Sequence, residues 1–82
     1  MTREDKLQLL QRLFLQVSNH GVTTWGDTAS GYRWTCENHA TAQRFAESLV
    51  EQIRVLGLDA ASFPYRFQPD GGATLIIEPV DD

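Results

Sequence analysis

Cys36 and His39 are separated by two residues, close enough for a thiol and an imidazole near the start of a helix to assist one another. A thiolate at a helix N-terminus has a depressed pKa and is a nucleophile, which is the basis for reading a Cys36-dependent enzyme. Cys36, however, shares the alternation of Tyr32 and Trp34, so a buried structural thiol is expected. One cysteine and two histidines, with His20 distant in the sequence, do not make a four-ligand metal site, and neither a metal nor another cofactor is expected. The pattern places His20 in the last turn of the first helix, where an imidazolium complements the dipole. Glu47 and Glu51 lie one helical turn apart and resemble a carboxylate pair. Their neighbours Arg44 and Arg54 identify a solvated helix surface instead. There is no glycine-rich phosphate loop and no nucleophile elbow. The chemistry-bearing residues therefore argue against an enzyme.

The chain has 82 residues, enough for one domain over 1–82 with a single modest core. A ligand cavity of ordinary enzyme size would compete with that core for the same side chains. Seven basic residues against eleven acidic ones give a net charge of −4, and Lys6 is the single lysine. Such an acidic chain is poorly suited to neutralising phosphates. The lone Cys36 cannot form an internal disulfide, so packing must hold the fold. The N-terminus carries acids where a signal peptide is basic, and no apolar run approaches the roughly 20 residues of a membrane helix. A soluble, cytoplasmic protein is expected, with no membrane partner.

The elements that must position these residues are legible from periodicity. Between Asn38 and Leu58, Ala42, Phe45, Ala46, Leu49, Val50, Ile53 and Leu56 stack along one helical face. Asn38 can cap the start, and Gly57 followed by Leu58 fits a left-handed stop with Leu58 folding over Ile53. A first helix begins at a capping box of Thr2 and Asp5 and stops near Gly21, with Leu7, Leu10, Leu13, Phe14 and Val17 as its stripe and Leu9 at the margin. Leu15 falls outside that stripe, either a solitary exposed leucine or a contact to a partner or second copy.

Residues 22–37 change period. Tyr32, Trp34 and Cys36 alternate with Arg33, Thr35 and Glu37, and Val22–Gly26 precedes them across the turn Asp27–Gly31, so a hairpin is predicted. The parity of its first strand stays open: Val22 and Thr24, or Thr23 and Trp25, face inward. A second hairpin follows, with Phe63, Tyr65 and Phe67 on an edge strand marked by Pro64, a turn at Pro69–Gly72, and a last strand from Ala73 to Val80. Asp81 and Asp82 are expected to form a solvated tail.

The order is α-β-β-α-β-β, an α+β two-layer sandwich with both helices on one face of a four-stranded sheet. The same order arises by moving the first strand of a ferredoxin-like arrangement to its C-terminus, which predicts strand order 1-2-4-3 with strands 2 and 4 central and parallel. The face away from the helices is then open. Arg33, Thr35, Arg66 and Ile76 belong to it, and Trp25 joins them in one of the two parities. Trp25 and Ile76 would be apolar anchors there, and Arg33 and Arg66 orienting charges, for a partner protein. An open four-stranded sheet is also similar to RNA-binding domains of the RRM type, which stack bases on exposed aromatic residues. Here the basic-Gly-aromatic signature is missing, and the triplet 63, 65, 67 suits the core.

The expectation is a small, acidic, non-catalytic module that binds another protein, as accessory, immunity or phage-type inhibitor proteins do. A second surface for this is the acidic helix face at Glu47 and Glu51, continued by Asp81 and Asp82, directed at a basic partner. RNA or single-stranded DNA on the open sheet is the alternative, and Cys36 chemistry comes third. Composition leaves monomer and homodimer equally open.

Overall fold

In the computed structural model, which describes residues 1–17, 19–69 and 71–81, the chain forms α1 (Arg3–Gln16), β1 (Val22–Asp27), β2 (Tyr32–Cys36), α2 (His39–Val55), a short 3-10 turn (Ala60–Ser62), β3 (Tyr65–Phe67) and β4 (Thr74–Ile77). The longest helix is the one with the strongest apolar stripe. Asn38 caps α2 by accepting the Thr41 N–H at 2.8 Å. At its other end Gly57 takes φ +78°, and Leu58 donates to the Ile53 carbonyl at 3.2 Å while packing on the core. Ala42, Phe45, Ala46, Leu49 and Ile53 are buried. Leu56 departs from the predicted stripe: it is the C-cap, beyond the last turn that packs on the sheet, and is exposed.

The capping box of α1 is formed in both directions, Thr2 Oγ1 accepting from the Asp5 N–H at 3.1 Å and Asp5 Oδ2 accepting from the Thr2 N–H at 3.2 Å. Those bonds hold the Asp5 carboxyl below its ordinary range, the Thr2 backbone N–H contributing most. The helix stops at Gln16, earlier than the spacing predicts. Val17 is already extended, its N–H bonded to Leu13, and the Asn19 side chain donates to the Phe14 carbonyl at 3.4 Å. His20 therefore lies beyond the helix, and its expected place in the last turn is overturned. The buried face is Lys6, Leu9, Leu10 and Leu13, rotated from the predicted stripe, with Leu7 and Phe14 at its margin. Lys6 is buried because its ammonium reaches the Val80 carbonyl at 2.6 Å. Arg3 adds bonds to the Pro79 carbonyl at 3.2 Å and the Asp81 carboxylate at 3.4 Å. The predicted solvated tail is thus fastened across α1 as far as Asp81; Asp82 lies outside the described residues, as does Asp70 of the second turn.

The sheet order is β1-β2-β4-β3, and every neighbouring pair is antiparallel. The central pair β2 and β4 corrects the sequence expectation of parallel strands. The reason is directional: α2 returns the chain so that β3 runs with β2, and the tight turn after β3 reverses β4, which inserts between them opposed to both. Both helices cover one face, where Tyr32 and Trp34 of β2 and Leu75 and Ile77 of β4 join Leu9, Leu10 and Leu13 of α1, residues 45, 46, 49 and 53 of α2, and Phe63 in one core.

A bulge between Val22 and Thr24 settles the parity of β1 in a way that neither alternating pattern allows. Val22 pairs with Cys36 and Trp25 with Trp34, so both β1 residues lie on the helix side although they are three apart. Trp25 is therefore not on the open face, which corrects its place there as a candidate contact residue in one of the two parities. No helix among the described residues is long and apolar enough to cross a membrane.

Candidate functional site

The open face of the sheet carries two rows set by strand register. One is Thr24, Thr35 and Thr74, with the Thr35 and Thr74 hydroxyls 3.2 Å apart. The other is Gly26, Arg33, Ile76 and Arg66. Three of the predicted contact residues are thereby neighbours. Ile76 is not the exposed anchor expected of it, since only 6% of its surface is accessible between the two arginines. Both arginines are engaged. Arg33 reaches over Gly26 to the Asp27 carbonyl at 2.9 Å, and Arg66 binds Glu78 at 2.6 Å. The Glu78 carboxyl is held below its ordinary range by Arg66 first and then by the hydroxyls of Thr28 and Ser30. Among the described residues this face presents no aromatic ring on which a base could stack, because positions 25, 63, 65 and 67 all belong to the helix side.

Glu47 and Glu51 project into solvent from α2 and border, with Arg44 and Gln16, a shallow depression towards the end of α1. Cys36 is buried, and burial first, then the neighbouring Glu37 charge, push its thiol above the usual range. That is the reverse of what a nucleophile needs. His39 is engaged elsewhere: its Nδ1 lies 2.9 Å from the Gly72 carbonyl and its ring meets Phe67 at 4.9 Å. Among the described residues no group of three His, Cys, Asp or Glu could hold a metal ion.

The helix side offers a different surface at the β1 edge. Leu15, outside the helical stripe, and Trp25, the candidate anchor on a strand of open parity, come to the two rims of one groove between α1 and the first hairpin. Its volume is about 280 Å³, and it is lined by Gln11, Phe14, Leu15, Trp25, Tyr32 and Trp34, none of them charged. Leu15 is 77% exposed and Trp25 51%. The rings are clustered, with Phe14 5.7 Å from Trp25 and Trp25 5.9 Å from Tyr32. At the mouth Gln11 donates to the Tyr32 hydroxyl at 2.7 Å, which leaves the phenol satisfied and the groove apolar. The indole N–H of the buried Trp34 has no acceptor among the described residues.

No family model matches the chain. No curated protein and no solved structure matches it significantly either.

The groove adjoins the β1 edge of the sheet, whose outward groups are open at Trp25 and engaged by Arg33 at the Asp27 carbonyl. Thr28 N–H donates to the Gly31 carbonyl at 2.9 Å, so by antiparallel alternation Gly26 and Thr24 bond to β2 while Trp25 and Asp27 turn their N–H and C=O groups outward. The bond from Arg33 to the outward Asp27 carbonyl agrees with this. β1 has six residues without proline or lysine. The opposite edge, β3, has three and follows Pro64, which blunts it against pairing. The sequence singles out both exposed apolar residues but not their union, and its patterns give Phe14, Tyr32 and Trp34 no role beyond packing. The signal that joins them is the bulge, which no residue pattern in β1 announces.

Proposed function

We propose that this protein is a non-catalytic module that acts by binding another protein, in the manner of small accessory, immunity or phage-type inhibitor proteins. The observation that supports the reading is the uncharged groove at the β1 edge, flanked by exposed Leu15 and Trp25. A large exposed aromatic beside an aliphatic residue over a concave apolar surface is the composition of an interface centre. The site thus moves from the open sheet face to the helix side, keeping Trp25 and gaining Leu15. Arg33, Thr35 and Arg66 are bonded to Asp27, Thr74 and Glu78, Ile76 is covered between the arginines, and the four offer a rim at most. The acidic face at Glu47 and Glu51 remains available for steering a basic partner.

The reading is tested by capturing tagged protein from lysate of its native cells, with proteins read by mass spectrometry and nucleic acid by absorbance. The wild type should retain a stoichiometric protein partner. The double variant Leu15→Glu, Trp25→Glu should lose it at least tenfold while keeping its circular dichroism and a cooperative melt, lowered by the loss of the Trp25 contacts to Phe14 and Tyr32. Retention by that variant, with loss in Arg33→Ala, Arg66→Ala or in Glu47→Lys, Glu51→Lys, would place the site elsewhere. Nucleic acid in place of protein would favour the RNA or single-stranded DNA alternative.

A further inference from the structure

Resting on the reading of this groove as a binding surface, we infer that its occupant in the purified protein is a second copy of the chain, joined by antiparallel pairing of the two β1 strands about a two-fold axis at Trp25. The axis position follows from the backbone. Trp25 and Asp27 are the residues after the bulge whose N–H and C=O turn outward, and the Asp27 carbonyl already accepts from Arg33, so two copies exchange both bonds at Trp25. The pairing then sets position 24 against 26 and position 23 against 27. No like charges face one another, since the one charge on the strand, Asp27, meets Thr23 of the partner. Trp25 of each copy lies on the helix side beside the other's, at the open rim of the groove below Leu15.

Charge favours a second copy here over any other face. The chain carries −4, which makes copies repel, yet no charged side chain lines the groove. Glu47 and Glu51 border a separate depression with Gln16 and Val17, outside the groove lining, and the Glu78 carboxylate is held by Arg66. The other candidate edge, β3, is short and guarded by Pro64. The available surface suits a reversible dimer. Six residues at about 3.3 Å each make the β1 side of the sandwich about 20 Å long, and a sheet plus a helix layer makes it about 20 Å tall. That area of about 400 Å² per copy falls below the roughly 600 Å² at which stable specific interfaces begin, in the range of weak, transient contacts. A dissociation constant on the order of 10 μM is expected.

The test is sedimentation equilibrium of the purified full chain from about 1 μM to about 1 mM, spanning the expected constant. The mass should rise from one chain of 9.3 kDa towards two, and Leu15→Glu or Trp25→Glu should raise the dissociation constant at least tenfold, the exposed Leu15→Glu without lowering the melting temperature of the dilute protein. Register is tested independently by Trp25→Cys in a Cys36→Ala background. Under mild oxidation it should form a disulfide-linked dimer, because the facing Cα atoms of a bonded antiparallel pair lie about 5.5 Å apart. A chain that stays monomeric throughout overturns the dimer while leaving the lysate capture to decide the binding reading. A dimer that neither glutamate substitution weakens, or that does not cross-link at position 25, overturns the proposed pairing.

Discussion

Gly31→Ala should destabilise the protein by about 3 kcal/mol or more, lowering the melting temperature by roughly 12 °C or more. A methyl group at this position would overlap the Ile77 carbonyl oxygen and lie 2.8 Å from the Glu78 Cα. Both are backbone atoms, held by the register that pairs Tyr32 with Ile77. Relief requires β4 to separate from the β1-β2 hairpin, and Gly31 itself closes that hairpin by accepting from Thr28. An 82-residue domain has only about 4 to 12 kcal/mol of total stability, so a loss of this size threatens folding. Gly57→Ala is the control: its φ of +78° strains any side chain, but nothing lies within 4 Å of the added methyl, and about 1 kcal/mol is expected. Urea unfolding of both variants checks the pair. A Gly31→Ala variant within 0.5 kcal/mol of wild type would mean that the hairpin and β4 are not packed as described.

Trp34→Ala should cost about 3 to 5 kcal/mol, whereas Trp34→Phe should cost less than about 2. The side chain is 1% exposed and is the hub of the aromatic cluster, with Phe45 at 5.5 Å, Tyr32 at 6.0 Å and Phe14 at 6.2 Å. Truncation to alanine leaves a cavity under the groove floor. Phenylalanine keeps a ring in contact with those neighbours and also removes the indole N–H, which has no acceptor among the described residues and therefore carries a desolvation cost of about 1 to 3 kcal/mol. The two effects oppose each other in the Phe variant alone. Equal losses for Phe and Ala in denaturant melts would show that the N–H is bonded in the folded protein.

The parts of this structure that were legible in advance are those fixed locally. The cap at Asn38, the stripe from Ala42 to Ile53 and the stop at Gly57 all lie within one segment, and α2 follows them. The layer count and strand order followed from element order, because two amphipathic helices and four short strands have few ways to bury their apolar faces. What escaped prediction depends on other segments. Lys6 is buried because the C-terminal residues cross α1, and Ile76 is covered because register sets Arg33 and Arg66 on either side of it. The face of Trp25 depends on a bulge whose cause lies in the pairing with β2. Alternation alone leaves Trp25 on either face, and a sheet covered on one side offers its open face as the surface legible from element order. Leu15, the partner of Trp25 across the groove, was noticed only as an isolated exposed residue.

The most direct measurement of the association surface is hydrogen exchange at the Trp25 amide by NMR, followed as concentration is raised and then as a captured partner is added. In dilute protein the Trp25 N–H, turned away from β2, should exchange much faster than the Gly26 N–H, which bonds to it. Occupation of the edge should slow Trp25 at least tenfold and leave Gly26 nearly unchanged. A Trp25 amide whose exchange responds to neither concentration nor partner would contradict the claim that the β1 edge and its groove are where this protein binds.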